Sequence, residues 1–323
     1  MAVLEPTLYA GASEDLVRGG ITDIQRRRLL AAAAEAIAEV GASKLTVAEV
    51  IRRARVSRKT FYEIFTGCED CLLRTLEVAI AEAAQVAREA YLGQRSWQDK
   101  IRAAVAQLLV FFEENPDRAR LILVESCAAG EAALERRAEV LRQLAAVIHA
   151  RSRPNARFRV SSPLIAEGVV GGVVAVVQTR VQRQPTAPLL DLSAQLTSII
   201  VLPYLGPAAA RRELRRSEPK RRRGVGSPCE AQVRPDPVAG LNMRLTYRTV
   251  QVLRSIRDSP GVSNRAIAEV CGIGDQGQIS KLVSRLERLG LVENRGQGPA
   301  RGAANAWHLT PRGGQLVRAA QAY

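Results

Sequence analysis

The sequence predicts a mainly helical protein, and three observations carry that expectation. Apolar residues make up 47% of the 323 positions while aromatics make up only 4%. The core is therefore aliphatic, which favours helices over a β-sandwich. Apolar residues recur at helical spacing through most of the chain up to Leu205, and capping residues stand where these patterns begin. Only near the C-terminus do two short runs, Gly290-Leu291-Val292-Glu293 and Ala306-Trp307-His308-Leu309, read as strands.

A net charge of +15 makes a polyanion, nucleic acid or anionic membrane, the first partner class to consider. The charge is uneven: residues 1–205 carry a net +3 and residues 206–323 a net +12. Five scattered cysteines are too sparse for a secreted disulfide scaffold, and the two histidines, His149 and His308, do not make a metal or catalytic cluster. The first residues, with Glu5, Glu14 and Asp15, lack the form of a signal peptide. The longest apolar stretch, Pro163 to Val177, holds Glu167 and three glycines and falls short of the roughly 18 residues of a membrane span. A cytoplasmic protein without membrane contact, metal or cofactor is expected.

After an N-terminal arm (1–20), Thr22 and Gln25 have the form of a capping box opening a helix that runs to Val40 and stops at Gly41. Arg26, Arg27 and Arg28 would then crowd a first turn that prefers acids, unless an anion lies nearby. Thr46 and Glu49 open a second, short helix, Val47 to Ala54. Ser57 caps a third, Arg58 to Phe65, with Phe61, Ile64 and Phe65 on one side and Arg58, Lys59, Thr60 and Tyr62 on the other. Two short helices at a tight turn, the second with a polar basic face, form a helix-turn-helix whose second helix is sized for a major groove.

The segment LTVAEVIRRARVSRKTFYEIF, followed by TGCEDCLL, resembles the DNA-binding domain of the tetracycline-repressor (TetR) family, over a region taken here as 21–70. The resemblance implies that Thr46, Ser57 and Tyr62 touch phosphates and that Arg58, Lys59 and Thr60 reach bases or backbone. Val56, Phe61 and Phe65 would hold the motif together. Where the family usually places a lysine, this chain has Cys68. Cys68 and Cys71 have CxxC spacing but no second ligand pair for zinc. Two thiols at a helix start, one of them buried, is the plain reading; a redox switch, with thiols made acidic by the helix start, is the other.

Residues 71–206 read as a helical ligand-binding and dimerisation domain: Cys71–Tyr91, Ser96–Glu113, Asp117–Ala128, Glu131–Arg151, Pro163–Gln182 and Ala187–Leu205. Gln107, Glu125 and Gln178 are the polar candidates for orienting a small-molecule effector. Gly168, Gly171 and Gly172 are costly in a helix, so another helix should approach them, within the bundle or across a dimer. The family resemblance implies a homodimer through the helices at about 163–182 and 187–205.

Residues 207–240 form a basic linker containing Lys220-Arg221-Arg222-Arg223, with Pro228, Pro235 and Pro237 beyond that run. In 241–323, helices begin at Leu245, after Ser263 and after Asp275, and the two strands follow, joined by a loop with Arg295 and Arg301. The third helix carries Ile279, Leu282, Val283, Leu286 and Leu289 on one face and Gln278, Ser280, Lys281, Ser284 and Arg285 on the other. Three helices and a hairpin make a winged helix. The words LERLGLVENRG and LTPRGGQLV resemble the winged helix of MarR-like regulators. Trp307 and His308 pack the wing. The fold class is thus a TetR-like three-helix DNA-binding domain, a helical regulatory bundle and a winged helix-turn-helix domain with a small β-hairpin wing.

The partner expected is double-stranded DNA, read by a dimeric regulator, most simply a repressor, whose bundle answers an effector. The alternative is a nucleoid-type or scaffold protein that binds DNA by charge, with the winged helix serving protein contacts. No phosphate-cradling glycine loop, paired metal ligands or activated nucleophile argues for an enzyme.

Overall fold

The computed structural model describes residues 7–151, 162–183, 187–216, 243, 245–296 and 305–321, with side chains from residue 19. Most of the expected linker, 217–240, and Arg301 lie outside the described residues. Two compact units emerge, neither contiguous in sequence: one drawn from Met1–Leu29, Ile51–Ile64 and Pro235–Tyr323, the other from Leu30–Val50 and Phe65–Arg234.

The first helix, α1, runs unbroken over Thr7–Val40, so Thr22 does not start it. Gly19 and Gly20 fail to break the helix because the site of Gly20 needs the missing side chain: a Cβ there would collide with the carbonyl oxygen of Ala320. Arg26 and Arg27 therefore sit mid-helix rather than in a first turn, and the dipole argument for an anion beside them falls. Arg27 Nε donates to the carbonyl of Asp23 (3.4 Å), while Arg26 is exposed.

In the first unit, α3 (Arg58–Ile64) follows a turn at Arg55, whose φ of 54° is the one left-handed non-glycine among the described residues. The winged helix consists of α10 (Tyr247–Asp258), α11 (Asn264–Val270), α12 (Gln276–Arg288), strands β1 (Val292–Asn294) and β2 (Trp307–Leu309), and α13 (Pro311–Gln321). The strands are antiparallel, with Glu293 opposite His308, and an isolated bridge pairs Val262 with Trp307. Trp307 is buried and its Nε1 donates to Asn264 Oδ1 (2.6 Å), tying the wing to α11. Helix α13 escaped the sequence reading because Gly313 and Gly314 disguise it. Gly313 is required there, since a Cβ would collide with the carbonyl of Leu291, and Leu316, Val317 and Ala320 close the core.

The second unit is a bundle. It holds the end of α1, the start of α2 (Val47–Ala54), and α4 (Cys68–Leu92), α5 (Trp97–Glu114), α6 (Pro116–Leu123), α7 (Glu131–Arg151), α8 (Pro163–Gln182) and α9 (Ser193–Arg215). Helix α5 packs against both α4 and α9, and α8 packs against α6, α7 and α9. The expected helix 117–128 ends at Leu123 and gives way to a 3-10 turn, Glu125–Cys127. The expected helix 187–205 differs more: a 3-10 turn at Leu189–Leu192 leads into α9, which kinks at Gly206 (φ 79°) and continues to Arg215. Buried Glu213 explains the extension. Its carboxylate accepts from Arg102 (2.8 Å) and from Arg216 (3.0 Å), and Arg216 also reaches Asp99 (2.9 Å). A buried carboxylate needs such partners, so the residues just after Gly206 belong to the bundle and not to the linker.

Helices α8 and 189–215 are long and apolar enough to cross a membrane by length and composition, contrary to the estimate from Pro163–Val177. Ala166, Val170 and Val177 of α8 are buried in two core clusters and α9 buries Glu213, while 17% of the apolar window of α8 and 50% of that of 189–215 are buried. The other side of α8 is open. No atom comes within 4 Å of where a Cβ would stand on Gly168, Gly171 or Gly172, so no described helix of the bundle approaches them.

Candidate nucleic-acid interface

The first candidate surface is built on α3. Ser57 Oγ accepts from the Thr60 amide (3.0 Å) and pairs with the Thr60 hydroxyl (2.8 Å), satisfying an otherwise orphaned N–H of the first turn. Phe61 is fully buried. Its neighbour Tyr62 is half exposed, braced edge-on against the Phe61 ring at 5.4 Å. Arg58, Lys59 and Tyr62 are exposed and Thr60 is partly so, which places the expected contact residues of this helix on its solvent face. Lys59 lies 3.9 Å from Glu63 one turn on, a weak exposed pair that leaves the ammonium available. In the bundle unit, exposed Thr46 caps α2 by accepting from the Glu49 amide (3.3 Å).

The second surface is built on α12. Asp275 Oδ1 accepts from the Gly277 amide (2.7 Å), the expected cap. Ile279, Val283 and Leu286 are buried, while Gln278, Ser280, Lys281, Ser284 and Arg285 are exposed on the opposite face. Arg248 of α10, which the sequence reading passed over, is also exposed and donates to Gln278 Oε1 (3.4 Å). It could have been found as a basic residue one position into a capped helix. On the wing, Arg295 is exposed and bonded to Glu293 (2.7 Å from Nε). Both helices thus present polar, basic faces backed by apolar cores, the arrangement that lets a helix enter a groove without exposing its core.

The thiols at the start of α4 are not activated. Burial pushes Cys68 up, and burial followed by the neighbouring Cys68 pushes Cys71 up to about 12. Desolvation thus outweighs the helix start, which favours the plain reading of two thiols, one of them buried, over the redox switch. The Cys68 thiol donates to the Leu45 carbonyl (3.3 Å), so where a lysine was expected a thiol ties α4 to the segment before α2.

A partly open cavity of about 160 Å³ lies between α4, α5, α6, α7 and α8, walled by such residues as Leu76, Phe112, Ile122, Leu141 and Val174. Of the three polar candidates, Gln107 and Glu125 do not line it, and Gln178 reaches it only through Arg137. Glu125 is buried and committed: Oε2 accepts from the Ala42 amide (2.8 Å) and Oε1 from Arg120 Nε (3.0 Å). It is a strut between the turn after α6 and the end of α1. Arg137 is the charged residue of the cavity wall, and no pattern in the sequence set it apart from Arg136 beside it. Its guanidinium donates to the carbonyls of Ile122 (3.2 Å) and Leu123 (3.3 Å), to Ser126 Oγ (3.4 Å) and to Gln178 Oε1 (3.1 Å), all neutral acceptors.

Two stretches of the chain match known protein families. Residues 29–75 match the family of bacterial regulatory proteins of the tetR type, and residues 245–302 match the MarR family. No curated protein matches the chain. Solved structures similar to it include a transcriptional regulator FadR from Bacillus subtilis in complex with stearoyl-CoA, at 17% identity and TM-score 0.49 over 55% of this chain and 98% of that one. FadR of Bacillus halodurans aligns at 17% identity and TM-score 0.48, over 55% and 94%. A TetR-family regulator from Syntrophomonas wolfei aligns at 15% identity and TM-score 0.47, over 56% and 95%. The protein is a DNA-binding transcriptional regulator that joins a tetR-family helix-turn-helix to a MarR-family winged helix in one polypeptide.

Proposed function

We propose that the protein is a cytoplasmic repressor, without catalytic activity, that binds operator DNA as a homodimer and is released by an apolar, anionic effector. The observation that carries the DNA-binding half is the pair of exposed basic faces on the capped helices α3 and α12. Arg58, Lys59, Thr60 and Tyr62 with Thr46 and Ser57 serve the first reader; Gln278, Ser280, Lys281 and Arg285, with wing residues Arg295 and Arg301, serve the second. Arg26 and Arg27, on the helix that precedes the first reader in sequence, add positive charge for phosphate. The open glycine face of α8, flanked by Leu164 and with Ile199 and Leu202 exposed on α9, supports a second copy as the missing neighbour.

The cavity supports the effector class. Apolar walls favour an alkyl or ring body, and a guanidinium with only neutral partners favours a carboxylate or phosphate at one end. A volume of about 160 Å³ is close to the roughly 150 Å³ that holds a benzene-sized guest, well below the roughly 300–1,000 Å³ of a drug-sized site. The cavity is partly open, and in this reading an effector larger than that parts α6 and α7 as it fills it. The Glu125 strut would carry that displacement from the turn after α6 to Ala42, at the end of α1. Any ligand that prefers the opened bundle shifts the DNA-binding equilibrium by that preference.

Selecting bound fragments from random genomic DNA, followed by titration at several salt concentrations, tests the first half. A regulator gives an enriched motif and a large ratio of specific to non-specific affinity; a nucleoid-type protein gives a steep salt slope and no motif. Dodecanoate and dodecanol then test the second. Dodecanoate should release the DNA and dodecanol should do so far more weakly, with the difference lost in Arg137→Gln.

A further inference from the structure

Residues Gly20 to Arg28 of α1 lie outside both family matches, which begin at 29 and at 245. They are nonetheless part of the winged-helix core. Ile21 and Ile24 are buried in one cluster with Val250, Leu253, Ile256 and Val317. Gln25 Nε2 donates to the Leu245 carbonyl (3.0 Å) and Arg28 Nη1 to the Met243 carbonyl (3.3 Å). The approach of Gly20 to the Ala320 backbone is too close for any side chain. Helix α1 thus touches both ends of the module, Met243–Leu245 and Leu316–Ala320, and leaves the polar face of α12 exposed.

We propose that Gly20–Arg28 is a docking helix for the winged helix, so that this module is a composite of two distant stretches of chain. Its partner surface is the groove between the entry segment at Met243–Leu245 and α13, and the occupant is the chain's own first helix. Three kinds of interaction agree on it: apolar burial, side-chain bonds to main-chain carbonyls, and a glycine at the closest approach. Undocking would strip the Met243 and Leu245 carbonyls of these donors and return Ile21 and Ile24 to water, and both changes oppose it. The module is consequently held by the helix that leads into the tetR-type reader.

Substituting Gly20 gives a test whose sign decides. Alanine is the better helix former, so in an undocked helix Gly20→Ala leaves the winged helix unaffected or makes α1 more stable. In the docked helix it wedges the module off. Hydrogen exchange of the full chain should show amides of Leu316–Ala320 exchanging at least about tenfold faster in Gly20→Ala. Unchanged or slower exchange overturns the proposal. Independently, a protease site placed between Gly226 and Ser227 allows the linker to be cut. The two fragments should then co-elute, and should separate when Ile24→Asp is introduced. Separation of the fragments with Ile24 intact, or co-elution unaffected by Ile24→Asp, overturns it as well. Neither readout needs DNA, so its failure is distinct from a failure of DNA reading.

Discussion

The two DNA readers differ in how much of themselves lies in one stretch of sequence. The first has a seven-residue recognition helix, α3, with a local serine cap and a buried Phe61. Every signal that builds it lies within a few positions of another. The second has a thirteen-residue recognition helix, α12, also locally capped, but its core is completed by Ile21 and Ile24 from the far end of the chain and by α13 after the wing. Short-range chemistry suffices to write a recognition helix. It does not suffice to write the domain that holds one.

Core truncation should give the largest effect and probes that difference. Phe61→Ala removes a fully buried ring and should cost about 3–5 kcal/mol, and Ile279→Ala about 2–5 kcal/mol, both read by denaturant unfolding. Because the second core draws on α1, Ile279→Ala should also speed exchange at Ile21 and Ile24. Protection there that does not respond would separate the two stretches again.

Removing charge from each reader comes next. Arg58→Ala with Lys59→Ala, and separately Lys281→Ala with Arg285→Ala, should each weaken binding to a selected fragment by about 1–3 kcal/mol for every removed side chain that reads a base. Residues that touch only phosphate would instead lower the salt slope by about one each. Anisotropy titrations across salt distinguish the two and rank the readers. Caps should matter less: Ser57→Ala and Asp275→Ala each remove one side-chain acceptor and should cost about 1 kcal/mol in thermal or denaturant unfolding. A much larger loss at Asp275 would mean that the second reader depends on its cap more than its distant core implies.

The smallest effect belongs to the bundle. The Ser96 hydroxyl, and then Arg216, hold the Asp99 carboxyl below the usual carboxylate range. The carboxylate's contribution is therefore complete above the unfolded value near about 3.9 and is lost as pH falls through the lower native value. Asp99→Asn should flatten the acid limb of the stability curve and leave neutral pH little changed. An acid limb identical to that of the parent chain would remove Asp99 from the network.

Much of the fold was legible because its signals were local. Capping residues at Thr46, Ser57, Ser263 and Asp275 stand at real helix starts. Thr22 failed as a start because a capping box says nothing about the chain before it, and the reason α1 continues, Ala320 packed on Gly20, lies at the other end of the sequence. The end of α9 was misplaced for a similar reason: Arg211 to Arg216 reads as a charged linker until Glu213 finds Arg102. Glu125 was picked out correctly as a buried polar group, but its partner, the Ala42 amide, gives it a strut's role and not a ligand's. Arg137 was invisible because it stands among other charged residues of α7, Glu135, Arg136 and Glu139, and only packing turns it toward the cavity. The cysteine pair shows spacing without environment, since burial, not the helix start, sets both thiols.

Hydroxyl-radical footprinting of the full chain on a selected genomic fragment tests the central claim most directly. Two readers predict two separate protected elements. Arg58→Ala with Lys59→Ala should erase one of them, and Lys281→Ala with Arg285→Ala the other. A single protected element that the Lys281 and Arg285 substitutions leave untouched would contradict a DNA-reading winged helix.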